Sequence, residues 1–201
     1  RYLRVWYNGQ TRMVMDAPPD KEDCRPFVTI AQALRKLGLN APEVLADDLD
    51  QGLLLLTDLG SRQYLAELDG RSVSGLYEDA LAALARLQMG GDPGSALLPP
   101  YDSALLQREM ELFRDWFLGR LLGLDLNEDE HHTLDRAFAL LADNALEQPR
   151  VWVHRDYHSR NLMITDPNNP GILDFQDAVV GAVTYDLVSL LRDCYVAWPR
   201  S

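Results

Sequence analysis

"VHRDYHSRNLMI", residues 153–164, sets a His, an Asp, an Asn and two Args between apolar ends. Val151 to Val153 and Leu162 to Ile164 read as short strands, so the polar residues between them fall on one exposed loop. A second acidic stretch follows, "GILDFQD", Gly171 to Asp177. Asp156 and Asn161 share the loop, and Asp174 ends the next hairpin strand. Mg²⁺ takes oxygen ligands and shares them with substrate phosphates. Asn161 offers an amide oxygen and Asp174 a carboxylate for that purpose. Asp156 stays off the metal, free to accept the proton of an attacking hydroxyl. Charge neutralisation, positioning and a base are what phosphoryl transfer asks for.

Working outward, the chain before this loop changes character once. Arg1 to Tyr7 alternates as a strand, Asn8-Gly9 is a favoured hairpin pair, and Thr11 to Met15 returns. "APP" at 17–19 ends that hairpin. Arg25 to Leu37 spaces Phe27, Ile30, Leu34 and Leu37 as a helix, with Gly38 as its stop. Glu43 to Ala46 and Gly52 to Thr57 read as two more strands. Helices are then expected over Ser74–Met89, over Ser103–Leu122 and from the cap Asn127/Glu130 to about Ala145. The breaker-rich loop 90–100 separates the first two. The second is expected to bury a stripe of Leu106, Met110, Phe113, Phe117 and Leu121. Thr184 to Val196 is expected to close the chain as a helix. The fold class is α+β: a small antiparallel sheet lobe, residues 1–60, then a mainly helical lobe, residues 61–201.

Composition narrows the function. The 201 residues carry a net charge of −12, which argues against a nucleic-acid backbone as partner, since phosphate binding needs a basic face. The longest strongly apolar run, Leu53 to Leu56, is far too short to span a membrane. These features fit an ordinary soluble cytoplasmic protein. Cys24 and Cys194 lack metal-ligand spacing and read as two buried free thiols. His131 and His132 are adjacent on a helix and do not face one way, which argues against a metal site. Nothing in the sequence sets the oligomeric state.

"HRDYHSRN" matches H-x-D-x-x-x-x-N, the catalytic-loop pattern of protein kinases and of the aminoglycoside phosphotransferase family. "LDFQD" sits where those families carry their metal-binding segment, and "TYDLVSLLRD" resembles the segment that follows in the phosphotransferases. The resemblance implies a two-lobed, protein-kinase-like fold using ATP and Mg²⁺. It implies Asp156 as the catalytic base, Asn161 and Asp174 as metal ligands, and Asp186 as a brace beneath loop 154–161. His154 supports the loop from the core. Thr57 to Gly60 takes the place of the hinge, with an ordinary inter-lobe turn as the alternative, so Asp58, Leu59 and Gly60 are assigned to the nucleotide, with Arg155 on its phosphates. Arg160 and Asp177 are left to the substrate or a second metal. For Arg155 and Arg160 surface ion pairing stays open, and for Asp177 a solvated turn. "VMDAPP", "DCRPF", "LLTDLG" and the two stretches above further resemble bacterial cell-wall sugar kinases of this family. Those enzymes phosphorylate N-acetylmuramate and N-acetylglucosamine at the anomeric hydroxyl in peptidoglycan recycling.

The chain departs from the pattern in three places. The kinase lysine of the small sheet is absent. The two lysines are Lys21 and Lys36, and Met15 or Asp16 stands in its place. Its partner Glu is absent too, since Arg25 to Leu39 holds no acid; Asp16 is expected either to face a base of that helix or to help hold a metal. No glycine-rich phosphate loop precedes the hairpin. The opening on Arg1 and the short carboxyl end are expected to reflect truncation of a longer parent. Two other readings compete with the sugar kinase: an aminoglycoside kinase, for which an acidic cleft suits a polycation, and a nucleotide-binding pseudokinase scaffold. A protein kinase fits least, since no "APE"-like segment follows "LDFQD".

Overall fold

The computed structural model describes residues 1–198. Strands β1 (Tyr2–Tyr7) and β2 (Gln10–Asp16) form the expected hairpin, pairing Tyr7 with Gln10. Asn8 and Gly9 both lie at positive φ, 50° and 72°, the backbone a two-residue turn of this hand requires. Helix α1 (Arg25–Lys36) buries Phe27, Ile30, Ala31 and Leu34. Strands β3 (Val44–Asp48) and β4 (Leu53–Thr57) complete an antiparallel sheet in the order β1-β2-β4-β3. Gly52 packs against the Ala17 carbonyl at φ +69°, where an added Cβ would sit 1.8 Å from that oxygen, so no other residue fits without moving the chain.

The remainder is mostly helical. A short turn, α2 (Tyr64–Glu67), leads to α3 (Val73–Gly90), which buries Ala80, Ala83, Leu84 and Leu87. Helix α4 (Ser103–Leu112) runs into a π-helical stretch, Phe113–Leu121. This corrects the single helix expected over 103–122 and its core stripe. The wider π turn breaks the four-residue spacing that would have aligned the apolar positions. Phe113 and Phe117 stack on each other at 5.1 Å yet remain 44% and 43% exposed, and Leu121 is 72% exposed. Helix α5 (Glu128–Leu146) starts on the expected capping box, with both Asn127–Glu130 hydrogen bonds made.

Four short strands then build the loop region: β5 (Arg150–Val153), β6 (Leu162–Met163), β7 (Gly171–Ile172) and β8 (Val179–Ala182). β5 pairs with β8 and β6 with β7. The inner pair is nested inside the outer one, so the loop after β5 and the segment after β7 are drawn together. Helix α6 (Tyr185–Leu191) ends well short of Val196. Its continuation is lost because Asp193 turns inward to bond Ser159. One apolar cluster runs from Met15 and Phe27 through Leu84 to Phe175 and Leu190, so sheet and helices share a core. Cys24 is buried, but Cys194 is exposed, contrary to the expectation for both thiols. Among the described residues no helix is long and apolar enough to cross a membrane.

Candidate active site

Loop 154–161 leaves β5 on a backbone that needs support. Arg155 lies at φ +77°, a region side chains rarely adopt. Asp186 holds it there from below. Its carboxylate oxygens accept the backbone N–H groups of His154, at 2.7 Å, and Arg155, at 3.0 Å. Asp186 is fully buried. Burial pushes its carboxyl up to about 7, against the downward pull of those two N–H groups. His154 is buried as well, and burial lowers its pKa to about 4. A neutral ring facing a carbonyl carries its proton on Nε2, which here donates to the Leu173 oxygen at 2.9 Å. The Leu173 N–H answers by donating to the Asn161 carbonyl at 2.9 Å. His154 therefore joins the loop to the segment that bears Asp174.

Asp174 is at φ +63°. It is fixed by its neighbour Phe175, fully buried against the Phe27 ring of α1 at 4.9 Å. The Asn161 amide donates to the Asp174 carboxylate at 3.2 Å and to the Asp156 carbonyl at 3.0 Å. The second carboxylate oxygen of Asp174 accepts from Gln176 at 2.9 Å. Both of the Asn161 bonds are made by its amide nitrogen, so the nitrogen and not the oxygen faces Asp174 here. Among the described residues no three His, Cys, Asp or Glu side chains gather as a cation cage. Turning the Asn161 amide over would set its oxygen beside the Asp174 carboxylate, and such a pair fits a Mg²⁺ that brings most of its coordination with it as phosphate and water. The Asp156 side chain stays out of these bonds, and its pKa is raised by partial burial and by the charge of Asp174. A base with a raised pKa works nearer neutral pH.

Asn161 and Asp174 line a cavity of about 310 Å³ between the sheet and the helical part. Met13, Phe27, Leu56 and Leu173 give it apolar walls, and residues 57–60 form its far rim. The Asp58 side chain is not free to meet a ligand. It accepts Arg4 at 2.7 and 3.0 Å and the Gly60 N–H at 2.9 Å. Leu59 and Gly60 line the cavity beside it. Met15, on the inward face of β2 with Met13, is buried. Asp16 points the other way and pairs with Arg1 at 2.7 Å, not with a base of α1 as expected. Arg35 of α1 is engaged by Glu43 at 3.1 Å.

Arg155 is not placed on the cleft. Its guanidinium pairs with Glu109 of α4, which also accepts the Tyr101 hydroxyl. Together with Asp177, it borders a separate depression of about 420 Å³ reaching Arg25 at the start of α1. Arg160 does line the cleft, with its guanidinium over the Tyr195 ring at 4.8 Å. Sequence reasoning missed Glu109, Phe175 and Asp193. Asp193 is buried and accepts both the N–H, at 2.9 Å, and the hydroxyl, at 2.5 Å, of Ser159. One signal was available: an acid at a helix C-terminus opposes the helix dipole, so it needs another partner.

The chain belongs to the phosphotransferase enzyme family, whose sequence profile matches residues 1–201. It is 48% identical over 201 residues to the N-acetylmuramate/N-acetylglucosamine kinase of Pseudomonas putida. It is 50% identical to the kinase of that name from Pseudomonas aeruginosa. Each alignment takes in all of this chain and 58% of the relative, so the chain spans a little over half the length of both. Among solved structures it is similar to an aminoglycoside-3'-phosphotransferase of type VIII, with a TM-score of 0.65 at 16% identity. That match covers 96% of this chain and 72% of the other. It bears on the fold, which is protein-kinase-like and α+β.

Proposed function

We propose that the protein is an ATP-dependent sugar kinase that moves the γ-phosphoryl group to the anomeric hydroxyl of N-acetylmuramate or N-acetylglucosamine. Residues 1–60 form the nucleotide lobe with the hinge at 57–60, and the helical part receives the sugar. The observation that carries the reading is the meeting of Asp156, Asn161 and Asp174 beside the cleft. Identity near 50% to two kinases of that specificity supports the choice of sugar.

Asp156 takes the proton of the acceptor hydroxyl. That oxygen bonds to the γ-phosphorus as the bond to the bridging oxygen breaks, and ADP leaves. Asn161 and Asp174 would hold Mg²⁺, which neutralises phosphate charge when bound. The apolar walls at Met13 and Leu56 take the base, and the backbone at Leu59 orients it. Arg160, not Arg155, is the loop cation available to the phosphates. The soluble, cytoplasmic setting expected from charge and composition suits a substrate of this size.

The test is purified full-length protein with ATP and Mg²⁺, offered N-acetylmuramate, N-acetylglucosamine and kanamycin in turn. Product is followed by phosphorus NMR. An anomeric sugar phosphate is the expected product. Phosphorylated kanamycin alone would favour the antibiotic kinase, and no product with any acceptor the scaffold.

A further inference from the structure

The residues just past α6 grip the loop at the end opposite to Asp186. Asp193 accepts the N–H and hydroxyl of Ser159, and its other oxygen accepts the Tyr195 N–H at 2.8 Å. The Tyr195 ring meets His158 edge-on at 5.3 Å and lies under the Arg160 guanidinium at 4.8 Å. Three consecutive loop residues, 158 to 160, are thus held by 193 to 195, immediately before Asn161. The Ser159 carbonyl is taken by the Leu65 N–H at 3.1 Å, and the Arg160 carbonyl by the Gln63 amide at 2.9 Å. The loop therefore has two anchors. Asp186 fixes the end that carries Asp156, and Asp193 fixes the end that carries Asn161.

We propose that Asp193 is a positioning residue for the metal arm of the site: through Ser159 it sets where the Asn161 side chain stands beside Asp174. Asp193 touches neither substrate nor ion. It acts on Asn161 through two residues of backbone in which the Ser159 N–H, the Ser159 carbonyl and the Arg160 carbonyl are already committed, so movement at Ser159 passes to Asn161. The inference rests on the kinase reading above, in which Asn161 and Asp174 hold the ion.

The experiment titrates Mg²⁺ into the full-length protein with a non-hydrolysable ATP analogue and reads analogue binding, with kcat at saturating Mg²⁺ measured in parallel. In Asp193→Ala the half-saturating Mg²⁺ concentration should rise roughly 10-fold, the usual scale for losing a group that orients a metal ligand. kcat at saturating Mg²⁺ should stay within about 3-fold, because Asp156 keeps its own anchor. Asp193→Asn retains an oxygen to accept both Ser159 groups and should restore most of the Mg²⁺ response. Should Asp193→Ala fail to fold, Ser159→Ala carries the test. It removes only the hydroxyl bond, and its half-saturation should rise in the same direction. An unchanged half-saturation in the folded variants, with only a lower melting temperature, would overturn the inference and leave the kinase reading intact. Absence of any Mg²⁺ dependence in the unsubstituted protein would instead bring down that reading and this inference together.

Discussion

Inside the core, the carboxylate of Asp186 accepts the backbone N–H of His154 at 2.7 Å. Its second oxygen takes the next N–H, that of Arg155. One side chain of α6 thereby satisfies two donors that the sharp exit from β5 leaves without a ladder partner. Asp186→Ala should lower unfolding free energy by about 2–4 kcal/mol, the scale for stranding two buried donors. Urea denaturation measures it. A loss below about 1 kcal/mol would mean that water or a shifted loop replaces the carboxylate.

Stability should also carry the signature of His154. Its folded pKa is lowered by burial from 6.5 to about 4, so below 6.5 the unfolded chain takes up a proton that the folded ring refuses. Stability is lost as pH falls through that window, by up to about 3 kcal/mol. Asp186 slopes the other way. Its raised pKa favours the folded state at low pH, a contribution lost as pH rises from 3.8 toward 7. The clean measurement is therefore a difference: melting temperature against pH for the protein minus that for His154→Gln. The difference should shrink as pH falls from 6.5 to 4. A flat difference would show that the ring is not held neutral.

How far these features could be read beforehand depended on the range of the interactions. The Asn8-Gly9 turn, α1 and the Asn127 capping box follow from local chemistry and stand where the spacing put them. Asp156, Asn161 and Asp174 were legible as a spacing, and the nesting of β6–β7 inside β5–β8 supplies their proximity. Contacts distant in sequence were not legible. Ser159–Asp193 spans 34 residues and Arg155–Glu109 spans 46. Each redirects a side chain that local reading would leave elsewhere. The π-helical stretch was hidden because its apolar residues keep an α-helical spacing that the wider turn does not honour.

Arg155 provides a sharp test of one such redirection. Its guanidinium serves Glu109 and the α4 side of the molecule, so it should contribute little to nucleotide binding. Arg155→Ala should leave the KM for ATP within about 3-fold while lowering stability by about 1–3 kcal/mol, because Glu109 loses a half-buried partner. Binding assays and thermal melts read the two effects. A tenfold rise in KM for ATP with unchanged stability would return Arg155 to the phosphates.

Asp156 should act on the acceptor and not on the nucleotide. In Asp156→Asn, kcat should fall by roughly 10² or more, the range for a lost general base. Nucleotide affinity should stay within about 3-fold, since the Asp156 side chain takes no part in the Asn161–Asp174 pair. Parallel losses in affinity and rate would contradict the assignment.

The most direct measurement is Mg²⁺-dependent phosphoryl transfer from ATP to N-acetylmuramate by the full-length protein, compared with its Asp174→Ala variant. Asp174 supplies the single carboxylate of the proposed Mg²⁺ site, held beside Asn161 at 3.2 Å. The account predicts anomeric sugar phosphate from the unsubstituted protein and none above background from the variant, with the variant's melting temperature little changed. Undiminished turnover in Asp174→Ala would contradict it.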